Sequence, residues 1–364
     1  MCHIFLQNMI KLFHCVTKMQ GLIWIGFLIF IHMESVFNVA PPSFTKDEIS
    51  QIALKHYSIK GETSELFSDR DQNFLIRSIE KSYILKVSNP IEEAEVIDLQ
   101  EKAIEYVLRT EPEIELPNQI GSTVIVERDG RSYIIRLLRF IEGNFLSDND
   151  LTETGYRKMG IFLGRLTKAM DGFDHPGAHR RFDWDARQVD LIKDKLNYID
   201  SPDNQNTIIH FLDEFKTNVK PLTNNLRMSI VHNDGNDHNI LVNDECETIG
   251  IIDFGDMVYS YTVMDPSVCL AYIALGKQDP LPDMVSVLDG YHSIYKLNDV
   301  ELRSIVYLMC LRICLTAVMA SWRKRLFPDN EYLIISEASA WKFLKDMQHQ
   351  NLNKWTKELT KNVR

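Results

Sequence analysis

With 364 residues, 45% hydrophobic and 25% charged, the chain carries enough apolar material for one large or two modest cores, which excludes general disorder. A formal charge of −11 and the lack of any Lys/Arg-rich run exclude a nucleic-acid partner, which needs a basic face, and suit a small cationic partner better. The spacing of the six cysteines excludes a disulfide frame or a zinc site and points to free thiols of a reducing compartment, hence the cytoplasm.

Residues 1–40 read as an apolar extension that is not part of the fold. They carry Lys11 and Lys18 and then the run Leu22 to Ile31, which is similar to a signal-peptide core but is shorter than the roughly 20 residues a membrane span requires. Two readings stand: a loosely attached or membrane-touching extension, or upstream translation of a chain whose working start is Met33. A membrane association is not expected.

A first lobe is expected over 41–142. Thr45-Lys46-Asp47-Glu48 is a capping box, and Ile49, Ile52, Ala53 and Tyr57 recur at helical steps behind it. Two strands follow, 73–79 and 82–87, joined by a short charged turn. The polar segment Ser68 to Asn73 precedes the first of them. Asn89 and Pro90 open a helix whose inner stripe is Ile97, Ala103, Ile104 and Val107. Strands at 122–127 and 131–138 flank Asp129-Gly130, a strong hairpin signal. The expected order is therefore helix, two strands, helix, two strands.

Near Phe140 to Gly143 the character changes, and a mainly helical lobe over 143–364 is expected. Met159, Phe162, Leu163, Leu166 and Met170 form one helical stripe, and the helix carrying Ile305 to Val318 is apolar nearly all round, hence buried. The fold class is α+β, a small β-rich lobe and a larger helical one with a cleft between them.

Into that cleft the second lobe would deliver Val231 to Val242 and Ile251 to Asp256. Phosphoryl transfer needs a carboxylate at the acceptor hydroxyl and oxygen ligands that hold magnesium against phosphates. Asp234 fits the first role, Asn239 and Asp253 the second, on two short strands joined by the polar turn 243–248. Turn carboxylates without function are the bland reading, set aside because His232, Asp234, Asn239, Asp253 and Gly255 fall in register together. Lys86, in Ile84-Leu85-Lys86-Val87, is either a solubility lysine on an edge strand or the contact to the donor phosphates, and the downstream motif favours the contact. Its partner is open between Gln100 and Glu101. No Gly-x-Gly-x-x-Gly loop is present, so the segment Ser68 to Asn73, with Gln72 and Asn73, would cap the phosphates or else be a plain polar turn. Residues 138–142, with Arg139 and Ile141, would line the nucleotide base through backbone atoms.

His232-Asn233-Asp234 with Asn239, Ile252 to Asp256, and Met264-Asp265-Pro266 together resemble the aminoglycoside phosphotransferase/choline kinase class. Within it, Asp71-Gln72-Asn73-Phe74, Tyr83 to Lys86, Ile97 to Gln100 and Ile335-Ser336-Glu337 are similar to the hydroxylysine kinase branch, over about residues 44–350. The resemblance implies a two-lobed protein-kinase-like fold and transfer of a γ-phosphate, from GTP or else ATP with Mg²⁺, to the side-chain hydroxyl of 5-hydroxy-L-lysine. It also implies Asp234 as the base, Asn239 and Asp253 as Mg²⁺ ligands and Lys86 on the phosphates, with His232 bracing the loop. Choline, ethanolamine or another hydroxylated amine is the alternative acceptor, and a weakly catalytic nucleotide-binding scaffold the alternative function. Asp237 and Asp256 are candidates for the substrate's ammonium groups, Arg312 and Arg323 for its carboxylate. Some relatives of the branch are fused to an aminotransferase; the unfused form is the expectation here.

Overall fold

The computed structural model describes residues 35–330 and 335–363. Residues 1–39 and 40–364 form separate units. Of the first, only 35–39 are described, a single 3-10 turn at Val36–Asn38 capped by Ser35; the apolar run 22–31 lies outside the described residues.

The second unit opens with α1 (Lys46–Tyr57), where the Thr45 hydroxyl and the Glu48 carboxylate close the capping box. Strands β1 (Glu62–Leu66), β2 (Gln72–Arg77) and β3 (Ser82–Val87) lead to α2 (Ala94–Thr110), and β4 (Val124–Arg128) and β5 (Arg131–Arg139) complete an antiparallel sheet of order β1-β2-β3-β5-β4. Phe74, Ile76, Leu85, Val87, Ile135 and Leu137 point to one face and pack with Ile49 and Ala53 of α1. Lys86 and Arg136 pair in register on the other face, toward α2 and the cleft.

Two expectations are corrected. The polar segment ending at Asn73 does not precede the first strand, because β1 lies before it; Ser68 to Asp71 is therefore the β1–β2 connection. Nor does α2 begin at Pro90. Asn89 takes the Asp71 carboxylate on its backbone N–H at 2.9 Å and donates its amide to the Arg70 carbonyl at 3.2 Å. These ties to the β1–β2 connection keep 88–92 out of the helix. Asp129 and Gly130 both have positive φ, 52° and 74°, the conformation a two-residue hairpin requires.

After β6 (Asn144–Phe145) the chain is mainly helical: α3 (Glu153–Ala169), α4 (Val189–Asp194) and α5 (Pro202–Asn218). Then come β7 (Met228–Val231), β8 (Ile240–Val242), β9 (Thr248–Ile251) and β10 (Val258–Tyr261), forming the small sheets β6-β8-β9 and β7-β10. Helices α6 (Met264–Ala274), α7 (Leu281–Ile294), α8 (Asp299–Leu326), α9 (Glu337–Gln348) and α10 (Leu352–Leu359) finish the unit. Helix α8 is apolar and long enough to cross a membrane by composition, yet it is buried inside the protein, as an all-round apolar pattern implies. The result is a β-rich lobe joined to a helical one.

Helices α3 and α7 approach so closely that their glycines cannot be replaced in place. A Cβ on Gly160 would lie 2.0 Å from the Val287 carbonyl oxygen, and one on Gly290 2.0 Å from that of Arg157. Gly160→Ala is therefore expected to destabilise by about 3 kcal/mol through overpacking, read as a fall of roughly 5 °C in thermal midpoint. An unchanged midpoint would mean the helices part without cost.

Candidate active site

Strand β7 ends at Val231, and the chain then turns through Asn233 at φ 66°, a left-handed conformation that costs a non-glycine residue about 1 kcal/mol or more. Hydrogen bonds hold the turn. The Asn233 backbone N–H donates to Asp265 at 3.1 Å, and its side-chain amide donates to the Trp184 carbonyl at 3.1 Å. His232, buried beside Phe254, accepts from the Asp234 N–H at Nδ1 (3.3 Å) and donates from Nε2 to the Ile252 carbonyl (3.2 Å). Burial lowers its pKa to about 4, so the ring is neutral and acts as a brace between the two loops. Asp265, pushed up to about 6 by burial, begins α6 and is a positioning residue for the same turn.

Asp234 is held on both oxygens. Oδ1 accepts from Arg312 at 2.7 Å and from Asn236 at 3.0 Å, while Oδ2 accepts from the Asn239 amide at 2.6 Å. Burial, reinforced by Asp256 and Asp253, pushes its carboxyl up to about 7 against the pull of Arg312. Strands β8 and β9 bring the second loop in: Ile240 pairs with Ile251, and the Ile252 N–H donates to the Asn239 carbonyl at 2.9 Å, which sets Asn239 next to Asp253. Asp253 is also left-handed, at φ 60°, and its Oδ1 caps the Gly255 N–H. Its side chain remains 45% exposed to the cleft, 3.4 Å from Lys86. Burial acts to raise its pKa, but Lys86 and Arg70 hold it well below the usual carboxylate range. Asp234, Asn239, Asp253 and Lys86 thus meet in one crevice between the lobes.

The Asn239 amide nitrogen is committed to Asp234, which leaves its oxygen for a cation, and Asp253 offers an exposed carboxylate. Two hard oxygen donors suit an ion that completes its shell with phosphates, the usual habit of Mg²⁺. Among the described residues no group of three or more His, Cys, Asp or Glu could hold an ion unaided.

Several residues are engaged differently from expectation. Lys86 is paired with neither Gln100 nor Glu101 but with Asp71 of the β1–β2 connection, at 3.0 Å. Gln100 accepts instead from Arg136 at 3.0 Å, because that buried guanidinium stands beside Lys86 on the sheet, and Glu101 bonds Thr123. Gln72 is spent on the Phe44 backbone and Glu65, so it is not available to phosphates. Asn73 lies opposite Lys86 on the same face, with a buried amide oxygen that finds no hydrogen bond among the described residues. Arg139 ion-pairs with Glu115 and gives its N–H to the Asn118 carbonyl, and Ile141 is buried where the chain passes between the sheets.

The candidates for substrate charges also have partners. Arg312, 1% exposed, is the partner of Asp234, and the Trp184 ring covers its guanidinium. Arg323 pairs with Asp69 at 2.7 Å and Asp256 with Arg70 at 2.8 Å, both across the lobes. Arg312, Arg323 and Asp256 are thus each neutralised by a residue distant in the sequence. Asp237, raised by burial, receives the Ser147 N–H on its carbonyl and stands at the edge of the loop. Sequence reasoning missed Arg70, Asp71, Glu92 and Arg180; the polarity of 68–71 was the sole signal, and it named no partner.

Comparison with known proteins bears on the family and the fold. The sequence model of the phosphotransferase enzyme family matches residues 64–295. Hydroxylysine kinase from Mus musculus is 28% identical, over 85% of this chain and 90% of its own length, and that from Danio rerio is 24% identical, over 83% and 91%. Among solved structures, a microcompartment-associated aminopropanol kinase superposes with a TM-score of 0.63 at 18% identity, covering 86% of this chain and 99% of its own. An amicoumacin kinase complex with AMP-PNP and Ca²⁺ gives 0.62 at 18%, covering 81% and 93%. These likenesses carry the fold, including the two-lobed, protein-kinase-like arrangement.

Proposed function

The chain belongs to the phosphotransferase enzyme family, and on that premise we propose that it transfers the γ-phosphate of GTP, with ATP as the alternative donor, to the side-chain hydroxyl of 5-hydroxy-L-lysine. The observation that carries the reading is the convergence of Asp234, Asn239 and Asp253 facing Lys86 in one crevice. The acceptor is supported by likeness to hydroxylysine kinases along most of the chain, and a cationic amino acid suits the net charge of −11. The cytoplasm is the proposed compartment, in keeping with the free state of Cys246, Cys269, Cys310 and Cys314.

In the reaction the acceptor oxygen forms its bond to the γ-phosphorus as the bond to the nucleoside diphosphate oxygen breaks. Asp234 accepts the proton the hydroxyl releases; its pKa near 7 makes the carboxylate basic enough for that task and leaves about half of it ionised at neutral pH. Arg312 and Asn239 fix the direction of its lone pairs. Lys86, kept charged by Asp253 and Asp71 in spite of its burial, neutralises donor phosphate oxygens, and Asp71 keeps it turned toward the crevice. Asn239 and Asp253 would hold magnesium, which would supply charge stabilisation to the transferring phosphoryl group. Asp237 is the remaining candidate for an ammonium group of the acceptor.

A panel of acceptors tests the reading. With Mg²⁺ and either GTP or ATP, nucleoside diphosphate release is expected to be fastest with 5-hydroxylysine. Fastest release with choline or ethanolamine would reassign the acceptor, and no turnover with nucleotide binding intact would make the protein a scaffold.

A further inference from the structure

The β1–β2 connection does more than cover the crevice. Arg70 reaches from it to the other lobe, where Nη1 meets the Asp256 carboxylate at 2.8 Å, while Nε faces Glu92 of its own lobe at 3.8 Å. The guanidinium lies so close over the turn after Asp253 that a Cβ on Gly255 would stand 2.2 Å from Nη2 and would displace Arg70. Arg180 grips the same turn from beneath, donating to the Gly255 carbonyl at 2.7 Å and the Met257 carbonyl at 3.0 Å, and the Phe182 ring lies under both guanidinium groups. Arg70 is 7% exposed, and its neighbour Asp71 is the carboxylate that orients Lys86. Two consecutive residues therefore set the two charged groups of the phosphate site, Lys86 in one lobe and the Asp253 turn in the other.

We propose that Arg70, through its ion pair with Asp256 and its contact with Gly255, is a positioning residue that holds Asp253 in the orientation needed to bind the metal on the nucleotide. This rests on the reading of Asp253 as a metal ligand. Residues that orient a ligand without touching the ion are typically worth roughly 10- to 100-fold in metal affinity or activity. The left-handed conformation of Asp253 gives such support a reason, since a strained turn persists only where its surroundings enforce it. Asp71 orients Lys86, Arg180 holds the turn through its carbonyls, and Arg70 is the residue of the β1–β2 connection that ties the two together.

The test separates metal coupling from nucleotide contact. Binding of GDP to the full-length protein is measured by calorimetry with Mg²⁺ and again with EDTA, for the wild type, Arg70→Met and Asp256→Asn. The wild type is expected to bind Mg·GDP more tightly than metal-free GDP. Both variants are expected to lose roughly 10-fold or more of that Mg²⁺-dependent gain while metal-free affinity stays within about twofold. Arg70→Lys should recover part of the gain, and the double variant should lose no more than either single one, because the two side chains act as one unit. Asp256→Asn keeps the shape of the site and so reports even where Arg70→Met fails to fold. An undiminished gain in Asp256→Asn overturns the inference, as does an equal loss with and without metal, which would make Arg70 a phosphate contact. A wild type with no Mg²⁺-dependent gain overturns the metal reading itself, and the inference with it.

Discussion

Asp234→Asn is expected to lower kcat by roughly three orders of magnitude while leaving the fold intact, within the range that loss of a general base produces. The amide is isosteric, and its oxygen still accepts from Arg312, whose guanidinium otherwise donates to the Asn233 and Trp184 carbonyls. The negative charge and the ability to take a proton disappear together, and the new amide nitrogen faces the Asn239 donor, so a small loss of stability accompanies the change. Asp234→Ala is expected to lose the same activity and, in addition, about 3 kcal/mol of stability, because it leaves a charge that is 1% exposed without its counter-ion. The two variants together separate chemistry from packing: equal rates with different thermal midpoints is the expected pattern. Retention of more than about a tenth of wild-type kcat in Asp234→Asn would remove the base from the mechanism.

Asp253→Asn is expected to cost roughly 10³-fold in kcat/KM for the nucleotide, about 4 kcal/mol of transition-state stabilisation. Because Lys86 and Arg70 stabilise the charged carboxylate, a small fall in thermal midpoint is expected as well, and the loss of rate should far exceed it. Lys86 keeps Asp71 at 3.0 Å and stays oriented, which confines the defect to the metal side. Saturating Mg²⁺ should recover part of the rate if the amide oxygen still coordinates weakly. Activity within tenfold of wild type at ordinary Mg²⁺ would show that Asp253 holds no ion that matters to the reaction.

The order of elements and the catalytic hairpin were legible along the chain because each rests on short-range pattern. The Thr45 to Glu48 cap, the Asp129-Gly130 turn and the strands on either side of 243–248 all involve residues a few positions apart, and their local geometry follows from side-chain and backbone preferences. The buried character of α8 was equally readable from its all-round apolar composition. The strand β1 was not. Glu62 to Leu66 are mostly exposed at the edge of the sheet, so no alternating apolar pattern marks them.

Charge partners divide the same way. Sequence alone singled out the groups proposed here for phosphoryl transfer, since Asp234, Asn239 and Asp253 occur at spacings that a loop and a hairpin turn into one cluster. Tertiary structure decided what surrounds them: that Asp71 and not a residue of α2 orients Lys86, that Arg312 serves Asp234, and that Arg323 and Asp256 are bound to the β1–β2 connection. Asp69 and Arg323 stand 254 positions apart, and Arg312 and Asp234 78. An ion pair depends on distance in space and on shared removal from water, and neither quantity is written in the order of residues until the lobes have packed.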